Sequence, residues 1–96
     1  MANNFVSNPM VITATFSTAQ TVGPSNDSIA LDEIYWYNPG TIGDTFNVTL
    51  GDGTQTIRFG RCEVANQSQL FQMYGRRVNQ IQVPTLASGT LYVYYH

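Results

Sequence analysis

The last nineteen residues, Val78 to His96, constrain the fold more than any other stretch of the chain. They read Val-Asn-Gln-Ile-Gln-Val, then Pro-Thr-Leu-Ala-Ser-Gly, then Thr-Leu-Tyr-Val-Tyr-Tyr-His. An alternating segment, a compact turn, and a β-branched and aromatic segment predict two strands joined as a hairpin. Alternation puts Ile81 and Val83 on the face shared with Leu91, Val93 and Tyr95, and turns Tyr92 and Tyr94 outward. The last strand runs to residue 96, so no C-terminal tail, helix or further domain is expected after it.

The rest of the chain repeats the theme. Residues 1 to 9 are polar apart from Phe5 and Val6 and end at Pro9, which predicts an extended N-terminal arm, disordered or laid against a neighbour. Met10, Ile12, Ala14 and Phe16 alternate with Thr13 and Thr15, the pattern of a half-buried strand. Ser17 to Ser28, with Gly23-Pro24-Ser25-Asn26-Asp27, reads as a loop. Ile29 to Asn38 is a second strand whose parity changes at Asp32-Glu33, where a β-bulge is expected. Asn38-Pro39-Gly40 ends it, because proline cannot donate to a ladder and glycine supplies a positive φ.

Thr45 to Leu50 alternates with Phe46, Val48 and Leu50 inward. Gly51-Asp52-Gly53 signals a tight turn, and Thr54 to Phe59 returns with Ile57 and Phe59 inward. Glu63 to Tyr74 fits a short helix or a strand; a loop followed by a short strand suits an otherwise β chain punctuated by Gly75. About seven strands at 8–12-residue spacing predict an all-β, antiparallel β-sandwich or flattened barrel. The expected organisation is an arm over residues 1–9 and one domain over 10–96, since two cores would leave each half too small.

Charge narrows the function. Only 10% of residues are charged, against about 25% in an average soluble protein. Lysine is absent, and the four cations are Arg58, Arg61, Arg76 and Arg77. A net charge of −2 without a basic cluster gives nucleic acid no electrostatic footprint. Arg76 and Arg77 are adjacent, so on a strand they point to opposite faces. No apolar run approaches the roughly 20 residues of a membrane-spanning helix, and the N-terminus lacks the features of a signal peptide. Cys62 stands alone, so no internal disulfide forms and a reducing site of synthesis is expected. The triplets at Asn26, Asn47 and Asn66 then read as chance matches to the glycosylation pattern. A weakly charged polar surface repels its neighbours little, which suits a subunit packed into an assembly.

Catalytic chemistry is poorly supplied. His96 is the only histidine and the last residue, where fraying works against precise positioning. Asp27, Asp44 and Asp52 sit in turn contexts, and Asp32-Glu33 is explained by the bulge. One Cys and one His make no zinc spacing. Gly51-Asp-Gly-Thr lacks the lysine of a phosphate loop. No catalytic residue, metal site or cofactor is expected, and the chain is read as not an enzyme.

The aromatic residues leave three roles open. Tyr35, Trp36 and Tyr37 are consecutive, so Trp36 occupies one strand face and the two tyrosines the other. With Tyr92 and Tyr94 they serve core packing, a protein–protein interface, or a platform for sugar rings.

Ile34-Tyr-Trp-Tyr-Asn-Pro-Gly, Gly43-Asp-Thr-Phe-Asn-Val-Thr, the Gly-Asp-Gly turn and the ending Ile-Gln-Val-Pro-Thr-Leu-Ala-Ser-Gly-Thr-Leu-Tyr-Val-Tyr resemble small virion proteins of tailed bacteriophages. The resemblance covers residues 29 to 96, and in size and lone-domain build the chain is similar to capsid decoration (cement) proteins. It implies a non-enzymatic structural protein on the capsid exterior, made in the bacterial host cytoplasm. Its partners would be the major capsid protein and itself, as a homotrimer or, second, a dimer. The suspected interface is Asn4, Phe5 and Val6 on the arm, as a strap, with Tyr35, Trp36, Tyr37, Tyr92 and Tyr94. A neck, tail or fibre component and a carbohydrate-binding module are the alternatives.

Overall fold

The computed structural model describes residues 3–21, 28–51 and 55–96. The Gly23–Asp27 loop signal and the Asp52-Gly53 half of the predicted turn lie outside these residues. Eight strands follow in order: β1 (Met10–Ile12), β2 (Phe16–Thr21), β3 (Ile29–Tyr37), β4 (Thr45–Leu50), β5 (Thr56–Arg61), β6 (Gln69–Val78), β7 (Gln80–Leu86) and β8 (Thr90–Tyr95). They form two four-stranded antiparallel sheets, ordered β1-β8-β3-β6 and β2-β7-β4-β5. The all-β sandwich expected from alternation is therefore the observed class, with one strand more than anticipated.

The pairing follows a rule. β1 pairs with β8, β2 with β7, β3 with β6 and β4 with β5, all antiparallel. The chain is thus one long hairpin with β4–β5 at its tip, rolled so that β3 also meets β8 and β4 also meets β7. This is the double-sheet jelly-roll arrangement.

The roll corrects the C-terminal hairpin. β7 and β8 are not neighbours; they lie in opposite sheets, joined by a crossing at Ala87-Ser88-Gly89. Ile81, Val83, Leu91, Val93 and Tyr95 are nevertheless all buried, as alternation requires. Two strands satisfy the same inward pattern equally well by facing each other across a core. Pro84 falls where the β4–β7 register shifts, between Asn47↔Thr85 and Thr49↔Gln82, a position that needs no ladder donor.

The segment Met10–Phe16 is likewise not one strand. Met10 and Ile12 are buried in the first sheet, Ala14 is exposed, and Phe16 begins β2 in the other sheet. The crossing is held by Asn3, whose Oδ1 accepts from the Thr13 and Ala14 amides at 2.7 and 3.0 Å, while its Nδ2 donates to the Ala14 carbonyl at 2.9 Å. β2 then runs through Thr21, in sequence expected to be loop, because its polar backbone pairs with β7.

Residues 3–9 of the arm lie along their own chain. Asn4 and Val11 exchange backbone hydrogen bonds of 2.8 and 3.0 Å, and Asn8 Nδ2 donates to the Tyr95 carbonyl at 2.8 Å. The Tyr95 hydroxyl donates to Val6 O at 3.0 Å. The arm thus covers the outer edge of β1, an edge that would otherwise present unpaired backbone groups.

The bulge at Asp32-Glu33 is present: Leu31 pairs with Tyr95 and Glu33 with Tyr94, leaving Asp32 as the extra residue. The ambiguous Glu63–Tyr74 segment resolves into an irregular stretch to Ser68 and then β6, a ten-residue strand that continues past Gly75. Ten residues survive because Tyr74 (φ 58°) and Gly75 (φ 73°) form a second bulge opposite Asp32.

The core lies between the sheets. Trp36 and Phe46 meet edge to face with centroids 4.9 Å apart, and Phe46 meets Phe71 at 5.3 Å. Arg58 points inward opposite Val48 and stacks its guanidinium over Phe71 at 4.9 Å, closing the open side between β5 and β6. Phe59, expected inward, is 56% exposed. Gly60 takes the inward place opposite Phe46, which turns Phe59 to solvent.

Candidate interaction surface

The outer face of the β1-β8-β3-β6 sheet carries a continuous row built by register. Val11 pairs with Tyr92, Tyr92 with Tyr35, and Tyr35 with Leu70, so one apolar residue from each strand lies side by side. The Asn4–Val11 bridge adds Asn4 as the polar end of the row. Tyr37 stands beside it, two residues along β3 on the same face.

The three tyrosine rings make a near-equilateral triangle. Centroids are 6.3 Å apart for Tyr35–Tyr37, 6.4 Å for Tyr35–Tyr92 and 6.2 Å for Tyr37–Tyr92, with interplanar angles of 42°, 34° and 73°. Tyr37 is 49% exposed and Leu70 54%, so two large apolar groups of this surface face solvent. Alternation forces this arrangement: Ile34 and Trp36 face the core, so Tyr35 and Tyr37 cannot.

Trp36 therefore leaves the suspected interface. It is 0% exposed, and its Nε1 donates to the Ser88 carbonyl at 2.9 Å, a core role. Tyr94 lies further along β8 opposite Glu33. Phe5 packs edge to face on Phe16 at 5.0 Å, while Val6 is exposed. The structure thus brings together Asn4, Tyr35, Tyr37 and Tyr92, sets Phe5 and Val6 on the arm, and buries Trp36. Val11 and Leu70 belong to the surface but were not anticipated. Leu70 lay in the ambiguous segment, and Val11 shows its membership only once β1 is placed beside β8.

Ionisable groups are dispersed. His96 Nδ1 lies 2.6 Å from Asp32 Oδ1 at the β3 bulge, and Arg61 pairs with Glu63 at 2.7 Å, which raises the arginine further above its usual range. Asp44 Oδ2 accepts from Ser88 Oγ at 2.6 Å and so serves the β7–β8 crossing. Cys62 is buried with Sγ 3.3 Å from the Val64 carbonyl. Among the described residues no three His, Cys, Asp or Glu side chains gather as a metal site, and no cavity opens. No protein-family model, no curated protein and no solved structure matches the chain.

Proposed function

We propose that this chain is a structural virion subunit, a capsid decoration protein that binds the outside of the major capsid lattice as a homo-oligomer. One observation carries the reading: the outward-facing Val11–Tyr92–Tyr35–Leu70 row with Tyr37, half-buried at Val11, Tyr92 and Tyr35 and exposed at Leu70 and Tyr37, on a domain whose residues are only 10% charged. Contiguous exposed aromatic and aliphatic groups mark surfaces that another protein covers, with tyrosine among the residues that contribute most to such contacts. Double-sheet jelly rolls are common in viral capsid proteins, which supports the reading by analogy of fold alone.

The mechanism is mass action. A subunit that binds only the assembled lattice stabilises it by about 2.7 kcal/mol per site at a hundredfold excess over Kd. Repetition over a symmetric shell adds these increments without any strong single contact. Cryo-electron microscopy of the parent particle tests the proposal. Density for this chain over the capsid exterior is expected; density confined to a neck, tail or fibre would overturn it. The carbohydrate alternative has lost Trp36 as a stacking platform, since that ring is enclosed.

A further inference from the structure

Each sheet ends in two edge strands, and three of these edges are guarded. The arm covers the outer edge of β1. The β2 edge is irregular, its ladder to β7 shifting register between Phe16 and Gln20. The β5 edge is six residues long and holds Arg61 and the inward-pointing Arg58. Bulged or charged edges resist pairing with another chain. β6 is the exception. It is ten residues long and closes the β1-β8-β3-β6 sheet, with β3 on one side and, among the described residues, no backbone paired along the other.

The first half of β6, Gln69–Met73, suits pairing. Its register with β3 is regular from Gln69 to Gln72, and it holds no charged residue, proline or glycine. In an antiparallel ladder every second residue turns its N–H and C=O away from the partner strand, so this edge presents a row of free donors and acceptors. Leu70 and Gln72 are exposed, while Phe71 between them is half-buried against the Arg58 guanidinium. The bulge at Tyr74-Gly75 ends the flat stretch, and Arg76 and Arg77 lie beyond it.

We infer that β6 pairs with β6 of a second copy, antiparallel and about a twofold axis at Phe71. A row of free backbone groups is a template for another strand, and an antiparallel edge meets its own copy in a closed, symmetric pair. An axis at Phe71 lays the whole flat stretch on itself, with Gln69 opposite Met73 and Leu70 opposite Gln72. Neutral side chains meet throughout, so no like charges oppose each other. The outward Val11–Tyr92–Tyr35–Leu70 row ends at this edge, and the pairing sets the rows of two copies end to end, with their Leu70 residues diagonal to each other. The inference rests on the homo-oligomer reading above and names a dimer as its unit.

Sedimentation velocity and backbone hydrogen exchange on the full chain test this, with circular dichroism confirming the fold of each variant. The wild type is expected to dimerise, and the Gln69–Met73 amides to exchange more slowly as concentration rises. Leu70→Lys/Gln72→Lys places like charges opposite each other across the axis, and Leu70→Glu/Gln72→Glu does so with the other sign. Each weakens association about tenfold or more. An equimolar mixture of the two variants recovers it, because every cation then meets a carboxylate. A wild type that stays monomeric up to roughly 1 mM overturns the inference. So does a mixture no better than its components, or a dimer whose Gln69–Met73 amides exchange as they do in the monomer. Decoration of particles by a monomeric wild type would remove the dimer while leaving the capsid role in place. Dimers paired through Gln69–Met73 that bind no particle would uphold the pairing and remove that role.

Discussion

The ring of Phe46 fills the space that a side chain on Gly60 would need. The two residues are register partners on β4 and β5, and a Cβ built at Gly60 overlaps the Phe46 ring. Phe46 in turn joins Trp36 to Phe71 across the core, so Gly60 makes room for the aromatic contacts between the sheets. The absence of one side chain allows both the core geometry and the outward turn of Phe59.

Gly60→Ala is therefore expected to destabilise the domain by about 1–3 kcal/mol through overpacking. Combining it with Phe46→Leu should cost less than the sum of the single changes, since the smaller side chain frees the volume. Urea unfolding of the four-member cycle measures the coupling; strict additivity would show that the two positions do not share this space.

Trp36→Phe keeps most of the buried area but leaves the Ser88 carbonyl without its indole donor. A loss of about 1–3 kcal/mol follows. Because Trp36 is the only tryptophan, native emission should be blue-shifted and move to the red on unfolding. A red-shifted native spectrum would contradict its enclosure.

Removing residues 1–8 strips the β1 edge and the Asn8 and Val6 contacts to Tyr95. A cost of about 1–2 kcal/mol is expected, lowering Tm by roughly 4–16 °C for a domain of this size, with increased aggregation through the exposed edge. An unchanged Tm would show that the arm contributes nothing to its own domain.

Tyr74→Gly tests the backbone cost of the β6 bulge. A left-handed residue costs an L-amino acid roughly 1–2 kcal/mol, and glycine removes that cost while losing more chain entropy on folding. The variant is expected to be as stable as wild type or more stable by up to about 1 kcal/mol. Calorimetry reads the effect; a clear loss of stability would mean that Tyr74 packs in its own chain.

Arg76 and Arg77 show how far local reading goes. Their opposite facing was legible from adjacency on a strand, and the bulge at Asp32 from the parity change beside it. The bulge at Tyr74-Gly75 was not, because Gly75 reads as punctuation until β3 lies alongside. The tyrosine face was half legible: Tyr35, Tyr37 and Tyr92 follow from alternation, whereas Leu70 and Val11 join only through pairing.

What the chain settles by itself is side. Period-two alternation sends Ile34, Trp36, Phe46, Val48, Ile81, Val83, Leu91 and Val93 inward, and all are buried. It holds no information on which strand lies next to which, because the same inward stripe is satisfied by a neighbour in one sheet or by a strand facing it across the core. Tertiary structure alone parted β7 from β8, drew Asn8 to Tyr95 across 87 positions and aligned the tyrosine row. Those pairings are non-local, and their register comes from joint burial of both sheets, a property that no short segment possesses.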